Sequence, residues 1–150
     1  MTVDEFWKSF LTKTGRSSDT RYLESFYFDM NERSANSLLE LVLSGKKRAT
    51  ASSLLAYGKE SSVAPKVGDL SIVTDWEGSP RCVIETTAVQ VYRFGDITFD
   101  ICRREGEDSC LETWRDNHTC FFTEEGKKLG YEFSEDMPVL FEDFKLVYPV

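Results

Sequence analysis

Two stretches of this chain, Arg81 to Tyr92 and Val139 to Tyr148, carry apolar or small side chains on both faces of an extended backbone. In the first, Val83, Thr87, Val89 and Val91 share one parity and Cys82, Ile84, Thr86 and Ala88 the other. In the second, Leu140, Phe144, Leu146 and Tyr148 oppose Val139, Phe141 and Val147. Side chains alternate across a strand, so a strand without a polar face has to be covered on both sides rather than left at an edge. Leu70 to Thr74, joined to the first stretch by the turn Asp75-Trp76-Glu77-Gly78-Ser79-Pro80, completes an antiparallel hairpin. A small closed or nearly closed barrel with helices packed around it meets these demands, because closure removes edges; an open α+β sandwich is the competing arrangement.

The helices are marked by spacing and caps. Thr2 to Glu5 has the form of a capping box, Val3, Phe6, Trp7, Phe10 and Leu11 follow at helical intervals, and Gly15 stops the run. Tyr22 to Phe28 is aromatic but fits neither period. Leu38, Leu41 and Val42, with Leu39 and Leu43 beside them, form a second helix capped by Asn31 or Ser34 and ended at Gly45. Ala49 to Tyr57 reads as extended, and Gly58 to Gly68 as a polar loop. A helical section with Phe99 and Cys102 facing inward is broken by Glu105-Gly106-Glu107-Asp108. Ser109 to Glu112 then forms a second capping box, opening a helix with Leu111, Trp114 and His118 on one face, and Gly126 to Asp136 reads as loose. No repeat or linker divides the chain, so residues 1–150 read as one domain in which 1–35 is an N-terminal helical extension. A chain of this length buries roughly two-thirds of its unfolded surface and needs no staples.

The net charge of −8 excludes a protein that grips long duplex DNA through a broad basic face. Against that background Lys46, Lys47 and Arg48 stand out, three cations on the corner between the second helix and the following strand. Cys82, Cys102, Cys110 and Cys120 form no C-x-x-C pair and there is one histidine, so a structural zinc site is not expected and the cysteines read as reduced thiols. Neither a signal pattern nor a long apolar run is present, which implies no membrane contact and a cytoplasmic location.

Gly45, Lys47 and Thr50 make a G-x-K-x-x-T motif. It is followed in order by Gly68-Asp69-Leu70, Ile84-Glu85-Thr86-Thr87, Glu105-Gly106-Glu107, Trp114-Arg115 with His118, and Ser134 to Val139. Together these resemble the ASCH (activating-signal-cointegrator homology) family, stand-alone bacterial type, over nearly the whole chain from about Asn36. The resemblance implies a small PUA-like β-barrel with flanking α-helices, of α+β class. It also implies a cleft at the G-x-K-x-x-T corner for single-stranded RNA or a modified nucleoside, with no cofactor and no metal. The family includes amidohydrolases acting on acylated cytidine and single-strand ribonucleases, which makes a metal-independent hydrolase the leading expectation. The alternative is a non-catalytic RNA-binding or nucleobase-sensing module.

Carried over by motif position, Lys47 is the base, Thr50 the nucleophile and Glu107 the acid. A threonine hydroxyl attacks an amide only if a neighbour takes its proton, and a lysine does so near neutral pH only when its pKa is depressed. Lys46 and Arg48 would push Lys47 in that direction. For the carboxylate the order of preference is Glu107, Glu105, Glu85. Lys46, Arg48, Ser53, Tyr57, Glu105 and Glu85 are the further substrate-binding candidates. Three positions separate Lys47 from Thr50, which on a straight strand would face opposite ways, so the corner has to be turned or bulged. His118 reads as a packed, hydrogen-bonded core histidine.

Overall fold

A computed structural model describes residues 1–59 and 62–149; Glu60 and Ser61 of the expected polar loop lie outside the described residues. The chain runs α1 (Val3–Thr14), β1 (Ser25–Phe26), α2 (Glu32–Leu43), β2 (Ala49–Ser53), β3 (Leu70–Thr74), β4 (Pro80–Arg93), α3 (Phe99–Cys102), α4 (Leu111–Leu129) and β5 (Pro138–Tyr148). The five strands form one sheet in the order β1-β3-β4-β5-β2, with β1 parallel to β3 and every other pair antiparallel. The two strands with apolar parity on both faces, β4 and β5, therefore occupy interior positions. The edges fall to β1 and β2, the short strands with the least ladder to expose.

Each face of the sheet is covered by helix. Trp7, Phe10 and Leu11 of α1 pack on Leu70, Ile72 and Val83. Leu39 and Val42 of α2 pack on Val73, Cys82, Ile84 and Phe144 from the opposite side. Trp114 and Phe122 of α4 meet Phe94, Val139 and Phe141. Burying a side chain of this size contributes about 1.5–3 kcal/mol, so the alternating parities of β3, β4 and β5 commit both faces at once. The sheet curls: Phe26 of β1, Ser71 of β3, Glu142 of β5 and Thr50 of β2 all line one cavity of about 390 Å³. The arrangement is a nearly closed barrel whose seam lies between the edge strands β1 and β2.

Local chemistry explains most boundaries. The Thr2 capping box forms in both directions, Asn31 caps α2 through Ser34 N, and Gly45 (φ 82°) follows the Ser44 C-cap. Three expectations are corrected. α4 is capped at Cys110 without a side-chain hydrogen bond to the backbone, so the Ser109 box does not form; the Thr113 hydroxyl instead donates to Cys110 O at 3.2 Å. Gly126 lies inside α4 rather than opening a loose segment, since the carbonyl of Tyr131 packs where a β-carbon would stand, 2.2 Å away. The extended run from Ala49 ends at Ser53, whose hydroxyl accepts from Leu55 N and starts a 3-10 turn over Leu54–Ala56. All four cysteines are free thiols, Cys82 and Cys102 buried, Cys110 and Cys120 exposed. Among the described residues no helix is long and apolar enough to cross a membrane.

Gly106 joins the two halves of the molecule. It has φ 71° and its α-carbon faces Lys46 O so closely that an added β-carbon would meet that oxygen at 2.3 Å. Gly106→Ala therefore combines left-handed strain with a backbone clash and is expected to cost about 2 kcal/mol or more. Thermal unfolding should register this as a Tm lower by roughly 5 °C; an unchanged Tm would show that the contact does not constrain the fold.

Candidate functional site

The turn after α2 aims Lys47 inward. The amides of Lys46 and Lys47 both donate to Leu41 O at 3.0 Å, reversing the chain after Gly45. Arg48 N then donates to Arg104 O and Arg48 O accepts from Phe144 N, each at 3.0 Å, which pins the corner between the 3-10 turn Arg103–Glu105 and β5. β2 begins only at Ala49, so Lys47 stands on a turn and the strand parity that would separate it from Thr50 does not apply. Lys46 and Arg48 point outward and are exposed.

Lys47 is 1% exposed. Its Nζ donates to Glu107 Oε2 at 2.6 Å, to Ala49 O at 2.8 Å and to Glu105 Oε2 at 3.4 Å, and lies 5.1 Å from the centre of the Phe28 ring. Glu105, also 1% exposed, accepts from Trp114 Nε1 at 3.4 Å and has His118 Nε2 at 3.4 Å. The His118 ring stacks on Trp114 with centroids 4.1 Å apart, and its Nδ1 is 2.9 Å from Trp114 O. The Lys47 amine, the His118 imidazole and two carboxyls thus form one connected chain, with α4 supplying His118 and Trp114 from one turn of helix.

The charges set one another. Burial alone would lower the Lys47 pKa, but attraction to Glu105 and Glu107 and their hydrogen bonds outweigh it, and the pKa is raised. This corrects the expectation of a lysine depressed by Lys46 and Arg48: those cations face solvent, while the buried neighbours are acidic. Burial likewise works against Glu105, yet Lys47 and His118 hold it well below the usual carboxylate range. Glu107 goes the other way. Burial, reinforced by Glu105, pushes it up to about 8 against the pull of Lys47. His118 resists burial through Glu105 and is raised. Of the two acids, the one touched by Lys47, His118 and an indole N–H is held toward the ionised form, and its neighbour is pushed toward the protonated one.

Glu105, Glu107 and His118 offer ligand atoms within 4.8 Å of one another, a set suited by chemistry to a divalent ion. The Lys47 amine sits against the same two carboxyl groups, 3.4 Å from Glu105 and 2.6 Å from Glu107. Lys47, Glu105, Glu107, His118 and Thr50 line a hollow of about 80 Å³. Thr50 and Ala51, with Phe28, Asp29 and Phe121, also line the larger cleft, so the two spaces share a wall. Ser53 and Tyr57 line the cleft as well, and burial pushes the Tyr57 phenol up to about 12. Lys46 and Arg48 line neither the hollow nor the cleft. Glu85 is apart from the site, on the α1 side of β4, 3.8 Å from Arg16. Phe28, Asp29, Phe121 and Glu142 line the site without having been candidates for it in the sequence. Asp29 alone gives a local sign, a short polar side chain among aromatics that takes up φ 64° and accepts from Met30 N. Trp76 packs on Tyr27, centroids 4.7 Å apart.

The ASCH domain family model matches residues 24–148. The chain belongs to the ASCH domain family. A crystal structure of an ASCH domain from Lactobacillus crispatus superposes with a TM-score of 0.85 at 36% identity, covering 95% of this chain and 92% of that one. A protein from Enterococcus faecalis superposes with a TM-score of 0.85 at 31% identity, covering 97% and 92%. A hypothetical protein 19% identical, covering 83% of this chain and 97% of its own at a TM-score of 0.52, shares the fold. No curated protein matches the chain. The ASCH assignment and the five-stranded sheet with four helices agree on a PUA-like α+β fold.

The ASCH cluster has two measurable consequences. Lys47→Ala leaves Glu105 and Glu107 buried with only His118 opposite, and should cost about 3–5 kcal/mol in denaturant unfolding, part of it recovered when Glu105→Gln is added. The carboxylate of Glu105, depressed in the fold, stabilises above its unfolded pKa, and that contribution is lost as pH falls through the lower folded value. His118, raised, stabilises below its unfolded pKa and loses the contribution as pH rises through the folded one. Because the chain has one histidine, an NMR titration reads it directly: wild type should titrate above the ordinary 6.5 and Glu105→Gln should bring the value down.

Proposed function

We propose that this ASCH protein is a metal-independent hydrolase that removes an acyl group from a modified cytidine-type nucleoside held in the cleft. The observation that carries this reading is the convergence of a buried Lys47 amine, the Glu107 carboxyl 2.6 Å from it and Thr50 on one hollow that opens beside a cleft. The cleft's own charges favour a nucleoside over an RNA strand. Glu24, Asp29, Glu125 and Glu142 line it and, among the described residues, Lys59 is its one cation, a balance that repels phosphates. A single-strand ribonuclease or an RNA-binding module is the second reading, favoured by the association of ASCH domains with RNA binding.

In this reading the resting cluster carries one proton too many. Lys47 is an ammonium and Glu107 a carboxylic acid whose pKa lies at about 8. Loss of that proton leaves an ammonium and a carboxylate 2.6 Å apart. Shifting one proton along the bond makes Lys47 a neutral amine and Glu107 an acid again, the states that base and acid chemistry require. The amine takes the Thr50 proton as Oγ attacks the acyl carbon, and Glu107 protonates the departing amino nitrogen. The proton on Lys47 then passes back to Glu107 along the 2.6 Å bond, leaving the amine neutral; water cleaves the threonyl ester, Lys47 taking its proton and returning it to Thr50 Oγ.

Incubating purified protein with N4-acylated cytidine in EDTA and following the products by chromatography tests the reading. Release of cytidine is expected, with Lys47→Ala and Thr50→Ala each slower by about 10²-fold or more. Since the active form has lost one proton, kcat/KM should rise about tenfold per pH unit and level off near pH 8, the value to which Glu107 is pushed. No release from acylated cytidine, with single-stranded RNA also intact, would remove the hydrolase reading. Salt-sensitive binding of single strands without turnover would favour the binding module.

A further inference from the structure

The floor of the cleft holds a buried carboxyl that neither the motif nor the chemistry above uses. Glu142 lies mid-way along β5, between Val89 of β4 and Thr50 of β2, and is 8% exposed. Residues directly opposite on antiparallel strands project from the same face with β-carbons about 5 Å apart, so Glu142 is the immediate neighbour of Thr50 on the cleft side. A bulge between Thr86 and Ala88 turns Thr86 to that face, and its hydroxyl donates to Glu142 Oε2 at 2.6 Å. Oε1 makes no hydrogen bond to any described residue.

Among the described residues no fully buried side-chain oxygen lacks a partner, so Oε1, which has none, is reachable from the cleft that Glu142 lines. Ser71, Thr50 and Ser52, which also line the cleft, bear hydroxyls, and among the described residues Lys59 is the one cation lining it. With Oε2 occupied by Thr86, what Oε1 offers a ligand is an acceptor beside the threonine. An amino group projecting from a pyrimidine ring donates to it, whereas a ring carbonyl there opposes oxygen to oxygen.

We propose that Glu142, fixed by Thr86 and set opposite Thr50, is a specificity-determining residue that hydrogen-bonds the amino-bearing edge of the bound base, so that the cleft takes cytosine-type bases and rejects uracil-type ones. This rests on the nucleoside reading of the cleft but not on turnover. Glu142 positions the base; Lys47, Thr50 and Glu107 act on the acyl group it carries.

Calorimetric titration of the protein with cytidine and with uridine, at about pH 8, measures the discrimination. Wild type should bind cytidine roughly tenfold or more tightly than uridine, and Glu142→Gln, which keeps an acceptor for Thr86 but presents a donor to the ligand, should narrow the ratio to within about threefold or invert it. Thr86→Val, which frees the carboxyl to turn, should narrow it too and reports independently if E142Q fails to fold. Thr86→Ser should preserve it. No preference in wild type, no binding of either nucleoside, or an undiminished ratio in E142Q would overturn the assignment. If acylated cytidine is hydrolysed while E142Q keeps the ratio, this inference alone falls; if the ratio behaves as expected and nothing is hydrolysed, only the hydrolase reading falls.

Discussion

A lysine amine buried between two carboxylates is the constraint around which this ASCH domain is arranged. An isolated ammonium in the interior is costly by several kcal/mol, and its attraction to paired acids offsets that only when the geometry is held. Each neighbouring element contributes to holding it. The α2 corner turns Lys47 inward, Gly106 lets the acidic turn approach the backbone of Lys46, and α4 lays Trp114 and His118 against Glu105. Lys47 and His118 hold Glu105 toward the carboxylate, while burial and Glu105 push Glu107, 2.6 Å from the amine, up to about 8.

The curled sheet provides a cavity beside the cluster. β4 and β5 need cover on both faces and take the interior, which leaves the edges to two short strands. Their seam opens onto the cleft. One concave surface therefore has an apolar end under α2, with Val73, Ile84 and Phe144, and a polar end with Ser71, Thr86, Glu142 and Thr50. Buried hydroxyls and a carboxyl in the wall of a small barrel do little for stability compared with aliphatic packing.

Much of this was legible in the residues. The parities of Val83 to Val91 and Val139 to Tyr148 required two-sided cover, and both strands have it. Thr2 to Glu5 capped a helix and Asn31 another. Leu111, Trp114 and His118 marked one face of α4, and His118 is packed and hydrogen-bonded there. Other features were hidden for physical reasons. β1 is two residues long and paired in parallel, with no period to detect. Ser109 matched a capping pattern, but the helix took Cys110 as its cap. Gly126 read as a breaker because glycine serves loops and close helix contacts alike. Glu142 interrupted an apolar parity and so passed as an exception, although a carboxylate on a covered face is itself a signal.

Sequence by itself determined the helices, the strand pairing partners with two apolar faces, and the motif bringing Lys47 and Thr50 near one corner, because period, capping and steric preference act over a few residues. Only the tertiary structure decided the charge on Lys47. The cations adjacent in sequence turn out to solvent, and the groups that govern the amine come from a turn some sixty residues later, Glu105 at |i−j| of 58 and Glu107 at 60. Electrostatic interaction depends on distance and burial rather than on order along the chain, so the protonation of this site exists only once the corner, the acidic turn and α4 have met.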